Sequence, residues 1–344
     1  MKSFVTPVAV SIHRLARLAF GTCLVLSFFV LPHSFTGAAT PNKKVIITFA
    51  DLSERTGLVF VAKDQRLFEE GGMDVEAVQV RSGPIAISAL AAGDAHFYSA
   101  PASGATIGAM ASGLDVVFVA GIINKLDGYF VASPKIKTPS DLKGKTLGVQ
   151  SMGGGIWMFT MMALDHWGLN PERDKIQFRV IGDQSVIAQA MTMGIVDGAL
   201  LGYTFSKIAQ SHGYSLLADL PKANIPYQHQ GLLARRNLVE SSHNLTEHTL
   251  RALIKAIGFI QDPTNKQAVM LSLTKWLRLS QMQGAEELYD RMKVLYDPRI
   301  TPTKEGLQNA LRVLGRINPK LGALKVEDLL DDRIARKLEK EGRL

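Results

Sequence analysis

The stretch Met73-Asp74-Val75-Glu76-Ala77-Val78-Gln79-Val80, then Arg81-Ser82-Gly83-Pro84, then Ile85-Ala86-Ile87-Ser88-Ala89-Leu90-Ala91-Ala92-Gly93, decides the fold class. Its first eight residues alternate apolar and polar side chains, the period of a strand with one solvated edge or face. From Pro84 to Ala92 the residues are small and apolar, with proline near the first turn and Gly93 after the last, which reads as a helix. Ala95–Ser99 is again a strand. Outward from this unit, Val45–Phe49 reads as a strand and Leu58–Glu70 as a helix stopped by Gly71-Gly72. On the other side, the Ala/Gly-rich Ser103–Ser112 reads as a helix and Asp115–Ala120 as a strand. Strands alternating with helices in this way imply a mostly parallel sheet with right-handed crossovers.

A second run of the same kind follows Gly128. Tyr129–Ser133, Thr146–Gln150, Ile176–Ile181, Gly198–Leu201, Leu216–Asp219 and Gly231–Ala234 read as strands. Gly154–Trp167, Ser185–Met193 and Phe205–Ser211 read as helices between them, with a short helical turn at Ser140-Asp141-Leu142. From Thr246 onward the pattern is helical almost throughout and ends in the charged amphipathic segment Val326–Glu341. The chain is therefore read as two α/β lobes followed by a helical tail.

Length and composition agree. At roughly 100–200 residues per domain, 344 residues make about two domains, each with a core of its own. Hydrophobic residues are 47% and charged residues 20%, which excludes intrinsic disorder. There is at most one short apolar run, so a polytopic membrane protein is excluded. A single cysteine excludes an intramolecular disulfide, a cysteine-rich zinc site and an iron–sulfur cluster.

The first 39 residues carry Lys2, Arg14 and Arg17 and no acid, then the uncharged run Leu18–Leu31, then Pro32 and the small residues Gly37-Ala38-Ala39. This is the three-part pattern of a secretory signal, with cleavage expected near Ala39. A 14-residue helix rises only about 21 Å, short of the roughly 30 Å of a bilayer core, which argues against an uncleaved anchor. Arg14 and Arg17 are not adjacent, so no twin-arginine pair exists. Cys23 lies inside the apolar run instead of closing it, as a lipid-modified cysteine should. Cleavage would remove the only cysteine and three basic residues, leaving 36 basic against 31 acidic side chains, a net +5. No block of basic residues marks a nucleic-acid arm, and no nucleic-acid partner is expected.

Catalytic motifs fail on spacing. Gly144-Lys145-Thr146 lacks the earlier glycine of a phosphate loop, where Pro139 stands, and it precedes a strand instead of following one. Val149 occupies the position that G-x-S-x-G would reserve for glycine before Ser151. His243, Glu247 and His248 miss both zinc-protease spacings, and no carboxylate pair forms a recognisable acid–base arrangement. No enzyme activity, metal or cofactor is expected. What the sequence does carry is polar turns where strands meet helices: Asp51–Glu54, Arg81–Pro84, Ser99–Ser103, Gln150–Gly155 and Gly182–Ser185. In open α/β sheets ligands bind beyond the carboxyl ends of strands, where helix N-termini offer free N–H groups. Any such turn can equally be a simple helix cap. The three glycines and serine of Ser151–Gly155 favour a binding role there.

Three stretches together carry a resemblance: Val59–Lys63 with Leu67–Val75, Ala89–Asp94, and Asp141-Leu142-Lys143-Gly144-Lys145-Thr146-Leu147-Gly148-Val149. In order and spacing the chain from about Val45 to Ile257 resembles the periplasmic substrate-binding proteins of nitrate, sulfonate and taurine importers, a group that includes thiamine-precursor binders. The resemblance implies an α/β type II periplasmic-binding fold, with two lobes of mostly parallel sheets around a ligand cleft and a helical C-terminal tail. Crossovers are expected near Gly128–Ser133 and Gln230–Ala234, giving a discontinuous lobe one of 43–129 plus 233–344 and a lobe two of 130–232. The implied function is capture of a small solute by hinge closure and delivery to an ABC permease and its ATPase, from a periplasmic, monomeric protein.

Carried over by motif, the cleft would draw on Ser53, Glu54, Ser82, Gly83, Ala100, Ser103, Asn124, Ser151, Gly154, Asp183 and Tyr203, with Trp157 or Tyr203 either against an organic body or in the core. Arg55 and Arg81 are the basic candidates near strand ends. Glu54 and Asp183 would oppose a bare dianion, so the expected ligand is an organic anion or zwitterion, of sulfonate, taurine or carboxylate type. Two other readings stand beside it: an extracytoplasmic ligand-sensing module and a pyrimidine-binding protein. Related fungal proteins that make a thiamine precursor depend on a cysteine cluster, which the mature chain lacks.

Overall fold

The computed structural model describes residues 42–278 and 285–342. The expected signal segment, residues 1–39 with its cleavage point, lies outside them.

In chain order the elements are β1 Lys43–Phe49, α1 Gly57–Asp64, β2 Met73–Gln79, α2 Gly83–Ala92, β3 Phe97–Ala100, α3 Gly104–Ala111 and β4 Val116–Lys125. Then come β5 Tyr129–Ala132, β6 Thr146–Val149, α4 Gly155–His166, β7 Gln177–Val180, α5 Gln184–Thr192, β8 Gly198–Leu201, α6 Tyr203–Ser211, β9 Ser215–Asp219 and β10 Pro226–Arg235. Helices α7 Arg236–Ser241, α8 His243–Gln261, α9 Lys266–Trp276, α10 Ala285–Leu295 and α11 Lys304–Gly315 follow, with short helices at Pro319–Gly322 and Val326–Leu329 and a last one at Arg333–Lys340.

The strands form two five-stranded sheets, β2-β1-β3-β10-β4 and β7-β6-β8-β5-β9. In the first, β1 runs parallel to β2 and β3, and β10 lies antiparallel between β3 and β4. In the second, β6 runs parallel to β7 and β8, and β5 lies antiparallel between β8 and β9. Each sheet therefore has four strands in one direction and one reversed, so the expectation of mostly parallel sheets holds. The reversed strands are the two that begin just after the chain has passed from one sheet to the other.

The first passage between the sheets runs at 126–128, and the return at 220–225, after which residues 226–235 hydrogen-bond into the first sheet. The two passages touch, with Leu126 N–H donating to the Ile225 carbonyl at 2.8 Å. Gly128 sits at φ +131°, and a Cβ there would meet Leu200 at 2.4 Å and Arg55 Nη2 at 2.8 Å. No side chain fits at this point of the passage.

Two apolar clusters hold the chain. One packs α1, α8, α9 and the last helix on the face of the first sheet around Ile47, Phe60, Phe97, Leu250 and Met292. The other joins the second sheet to α4 and α11 through Phe130, Leu147, Phe159, Leu200 and Leu311. Arg312 of α11 and Arg316 just after it both pair with Asp165 of α4. The helical tail thus packs against elements of both sheets. No helix among the described residues is long and apolar enough to cross a membrane.

Candidate functional site

Between the carboxyl ends of β1 and β3 on one side and of β6 on the other lies a cavity of about 20 Å³. Ala50, Asp51, Gly83, Tyr98, Ser99, Pro101 and Gln230 line it from the first sheet, and Gln150, Gly155, Ile156 and Phe159 from the second. This volume holds one water-sized body, far below the roughly 300–1,000 Å³ of a small-molecule pocket. The conformation is closed, and five hydrogen bonds donated by four residues bridge the gap. Gln150 Nε2 donates to the carbonyls of Ala50 at 2.8 Å and Arg81 at 3.0 Å. Gln184 Nε2 donates to Asp51 Oδ1. Ala105 N–H donates to the Gly153 carbonyl at 2.8 Å. Tyr203 N–H, in the first turn of α6, donates to Glu54 Oε1 at 2.6 Å.

The sequence-predicted residues divide between structural and cleft positions. Ser53 Oγ accepts from Arg55 N–H at 3.3 Å and donates to Asp51 at 2.8 Å, capping a short turn. Glu54 is fully buried, and its carboxylate fills the N-terminus of α6. Ser103 caps α3 through Thr106 N–H at 3.3 Å, and Asp183 caps α5 through Ser185 N–H at 3.0 Å and Val186 N–H at 3.2 Å. Ala100 is a buried strand residue paired with Gly231. Tyr203 packs edge-on against Tyr129 at 5.6 Å.

Gly83 lines the cavity, and half-buried Ser82 precedes it at the N-cap of α2 without a side-chain cap bond. Gly154 is the N-cap of α4, and Ser151 Oγ lies buried beside it with no partner. Asn124 is elsewhere: its Nδ2 donates to Asp297 Oδ2 and the Thr301 carbonyl, both at 3.0 Å, in a separate open groove of about 780 Å³.

Of the other lining residues, Asp51, Ser99 and Gln150 open three of the polar turns that the sequence marks, while Tyr98, Phe159 and Gln230 lie outside them. The available signal is position, since Asp51 lies two residues after the end of β1 and Gln150 directly after the end of β6. Trp157, considered as a packing surface for a ligand, is buried against Gly104, with its Nε1 unpartnered.

Arg55, an anion-binding candidate from sequence, is committed to the protein. It is 1% exposed, contacts Asp51 Oδ2 and Asp127 Oδ2 at 3.2 Å each, and lies 5.2 Å from the centre of the Phe159 ring. Arg291 also contacts Asp127. His229 stacks on the same Phe159 ring at 3.8 Å and accepts from Asp127 N–H at 3.1 Å through Nδ1. Burial, and then the neighbouring Arg55 charge, push its pKa well below the ordinary imidazole value, so it is neutral with its proton on Nε2. Burial, with Asp51 adding to it, raises the Tyr98 phenol, which stays protonated. No group of three or more His, Cys, Asp or Glu among the described residues is arranged to hold a metal.

Two sheets linked by two short passages, with a polar cavity between the carboxyl ends of their strands, define the periplasmic-binding-protein fold. The sequence model of the NMT1/THI5-like family matches residues 53–266, and the chain belongs to that family. No curated protein matches the sequence. Among solved structures, the fold is similar to the periplasmic aliphatic sulphonate-binding protein SsuA of Escherichia coli, at 19% identity and TM-score 0.68 over 84% of this chain and 92% of that one. It is also similar to the periplasmic nitrate-binding protein NrtA of Synechocystis PCC 6803, at 13% identity and TM-score 0.72 over 87% and 89%. A Bordetella bronchiseptica RB50 protein matches at 18% identity and TM-score 0.76 over 88% and 99%.

Proposed function

We propose that this chain is the extracytoplasmic solute receptor of an ABC importer, with residues 43–125 and the C-terminal part forming one lobe around the first sheet and the central part the other around the second. The observation that carries the reading is the cavity itself, lined by polar side chains from two sheets that only two short passages join. Opening about those passages admits a solute, and contacts to both sheets then stabilise the closed form that a permease and its ATPase would recognise. The solute leaves unchanged, so the protein is not an enzyme. Its names aside, the sulphonate- and nitrate-binding relatives support the same role in the periplasm, reached through the expected signal segment.

For the ligand, an organic anion or zwitterion remains the starting class. The N-termini of α2 and α4 carry no side-chain cap, and Gly83 and Gly155 bring both to the cavity, where free N–H groups suit an oxyanion. A thermal-shift series with sulfonates, taurine, carboxylates, bicarbonate, nitrate and pyrimidines tests the receptor role. Stabilisation of about 2.7 kcal/mol is expected at a hundredfold excess over Kd. Silence from every solute, with turnover of any substrate, would overturn it.

A further inference from the structure

We propose that Phe159 limits how long a solute the closed site can hold, and that His229 gives it this role by pinning its ring. The site is thereby reserved for compact solutes, a head group with at most a short body. This inference deepens the receptor reading and rests on it.

Long side chains on a helix lean toward its N-terminus and cover the turn before their own Cα. Phe159 stands four residues after Gly155, the first residue of α4, and its ring lies back over that glycine. A Cβ on Gly155 would be 3.4 Å from Phe159 Cζ and 3.2 Å from Pro101 Cγ across the gap. The tip of the ring therefore stands beside the start of α4, one of the two helix starts proposed to receive the head group. Tyr98 takes the matching place on the other side, with its Oη 3.2 Å from where a Cβ on Gly83 would lie, at the start of α2. Both rings line the cavity, so a head group held there is bracketed by one from each sheet.

A stop limits length only if it cannot swing aside. Phe159 is 2% exposed. His229 stacks on its ring at 3.8 Å, Tyr227 meets it edge-on at 5.9 Å, and the Arg55 guanidinium carbon lies 5.2 Å from its centre. Each of these neighbours is itself fixed. Tyr227 Oη donates to the Ala102 carbonyl at 2.9 Å, His229 Nδ1 accepts from Asp127 N–H, and Arg55 is shared between Asp51 and Asp127. Turning the ring in the closed form would mean repacking a buried cluster that has no slack.

Length is then a property on which this wall discriminates. One methylene too many against a rigid apolar wall changes affinity by roughly 10–200-fold. His229 is wholly buried and is not among the residues lining the cavity, so it acts as a positioning residue through Phe159.

Isothermal titration calorimetry with the n-alkanesulfonates from methane- to hexanesulfonate, and with the n-alkanoates from acetate to hexanoate, tests this. In any series that binds, wild-type affinity should fall at least about tenfold from the ethyl to the hexyl sulfonate, or from acetate to hexanoate. Phe159→Ala should raise the long-to-short affinity ratio at least about tenfold, and Phe159→Leu, nearer in volume, is read the same way if the alanine variant does not fold. His229→Ala should raise that ratio too, although it touches no solute; a merely structural role would lower stability and leave the ratio alone. If nitrate or bicarbonate alone binds the wild type, the Phe159 variants should admit acetate or methanesulfonate. A wild type that holds long and short members equally, or folded Phe159 and His229 variants that leave the selection by length unchanged, would overturn the inference and leave the receptor standing. Silence from both series and from nitrate, bicarbonate, taurine and pyrimidines would overturn the receptor reading, and this inference with it.

Discussion

At the scale of single residues, the centre of the molecule is a buried electrostatic knot. Arg55 is held by Asp51 from the turn after β1 and by Asp127 from the passage between the sheets. Removing one partner of a buried pair leaves the other as an uncompensated charge, at a cost of about 3–5 kcal/mol. Arg55→Met should therefore lower unfolding stability by that amount in urea titration; a loss under about 1 kcal/mol would mean that the contacts are incidental. His229 gives a second handle. It is neutral in the folded chain but takes up a proton near pH 6.5 when unfolded, so the unfolded state binds more protons as pH falls. Stability should drop below about pH 6.5 by up to about 1.4 kcal/mol per pH unit, and His229→Gln should flatten that slope. Equal slopes for the two proteins between pH 7.5 and 5.5 would contradict the assignment. Glu247 acts in the same direction at lower pH. Lys337 and Arg251 hold its pKa at about 2, and the stability it adds is present above about pH 4.5 and lost as pH falls toward 2.

At the scale of elements, closure depends on backbone meeting backbone. A Cβ on Gly104, at the start of α3, would lie 3.3 Å from both Cα and O of Gly153, which is itself at φ +72°. Gly104→Val should leave each sheet folded and prop the gap open. Far-ultraviolet circular dichroism should be unchanged, while the radius of gyration rises and solute affinity falls; unchanged affinity would remove this contact from the closing surface. Most elements were legible in the sequence because their apolar periods match their burial. The exceptions have physical causes. β10 runs for ten residues where only Gly231–Ala234 was expected, because its first half contains Gln228, His229 and Gln230, polar side chains buried by partners that no local pattern reveals. α1 ends at Asp64, six residues early, where Arg66 turns left-handed at φ 58°. The site was half legible for a related reason. Turn chemistry marked the right strand ends, but a serine or acid that caps its own helix, as Ser103 and Asp183 do, looks the same in sequence as one that meets a ligand. Glutamines at strand ends carried no such signal.

At the scale of the whole molecule, the proposed receptor role requires the two sheets to separate about the two passages that join them. A space of about 20 Å³ cannot admit an organic solute without separation of its walls. On the proposed reading, opening breaks the five inter-sheet hydrogen bonds donated by Gln150, Gln184, Ala105 and Tyr203. The most direct test is small-angle X-ray scattering of the purified protein, freed of bound solute by unfolding and refolding, with and without the compound that stabilises it most. The account predicts a radius of gyration that falls on saturation, with a midpoint at the calorimetric Kd. A bound solute that leaves the scattering curve unchanged at saturation would contradict capture by closure of the two sheets.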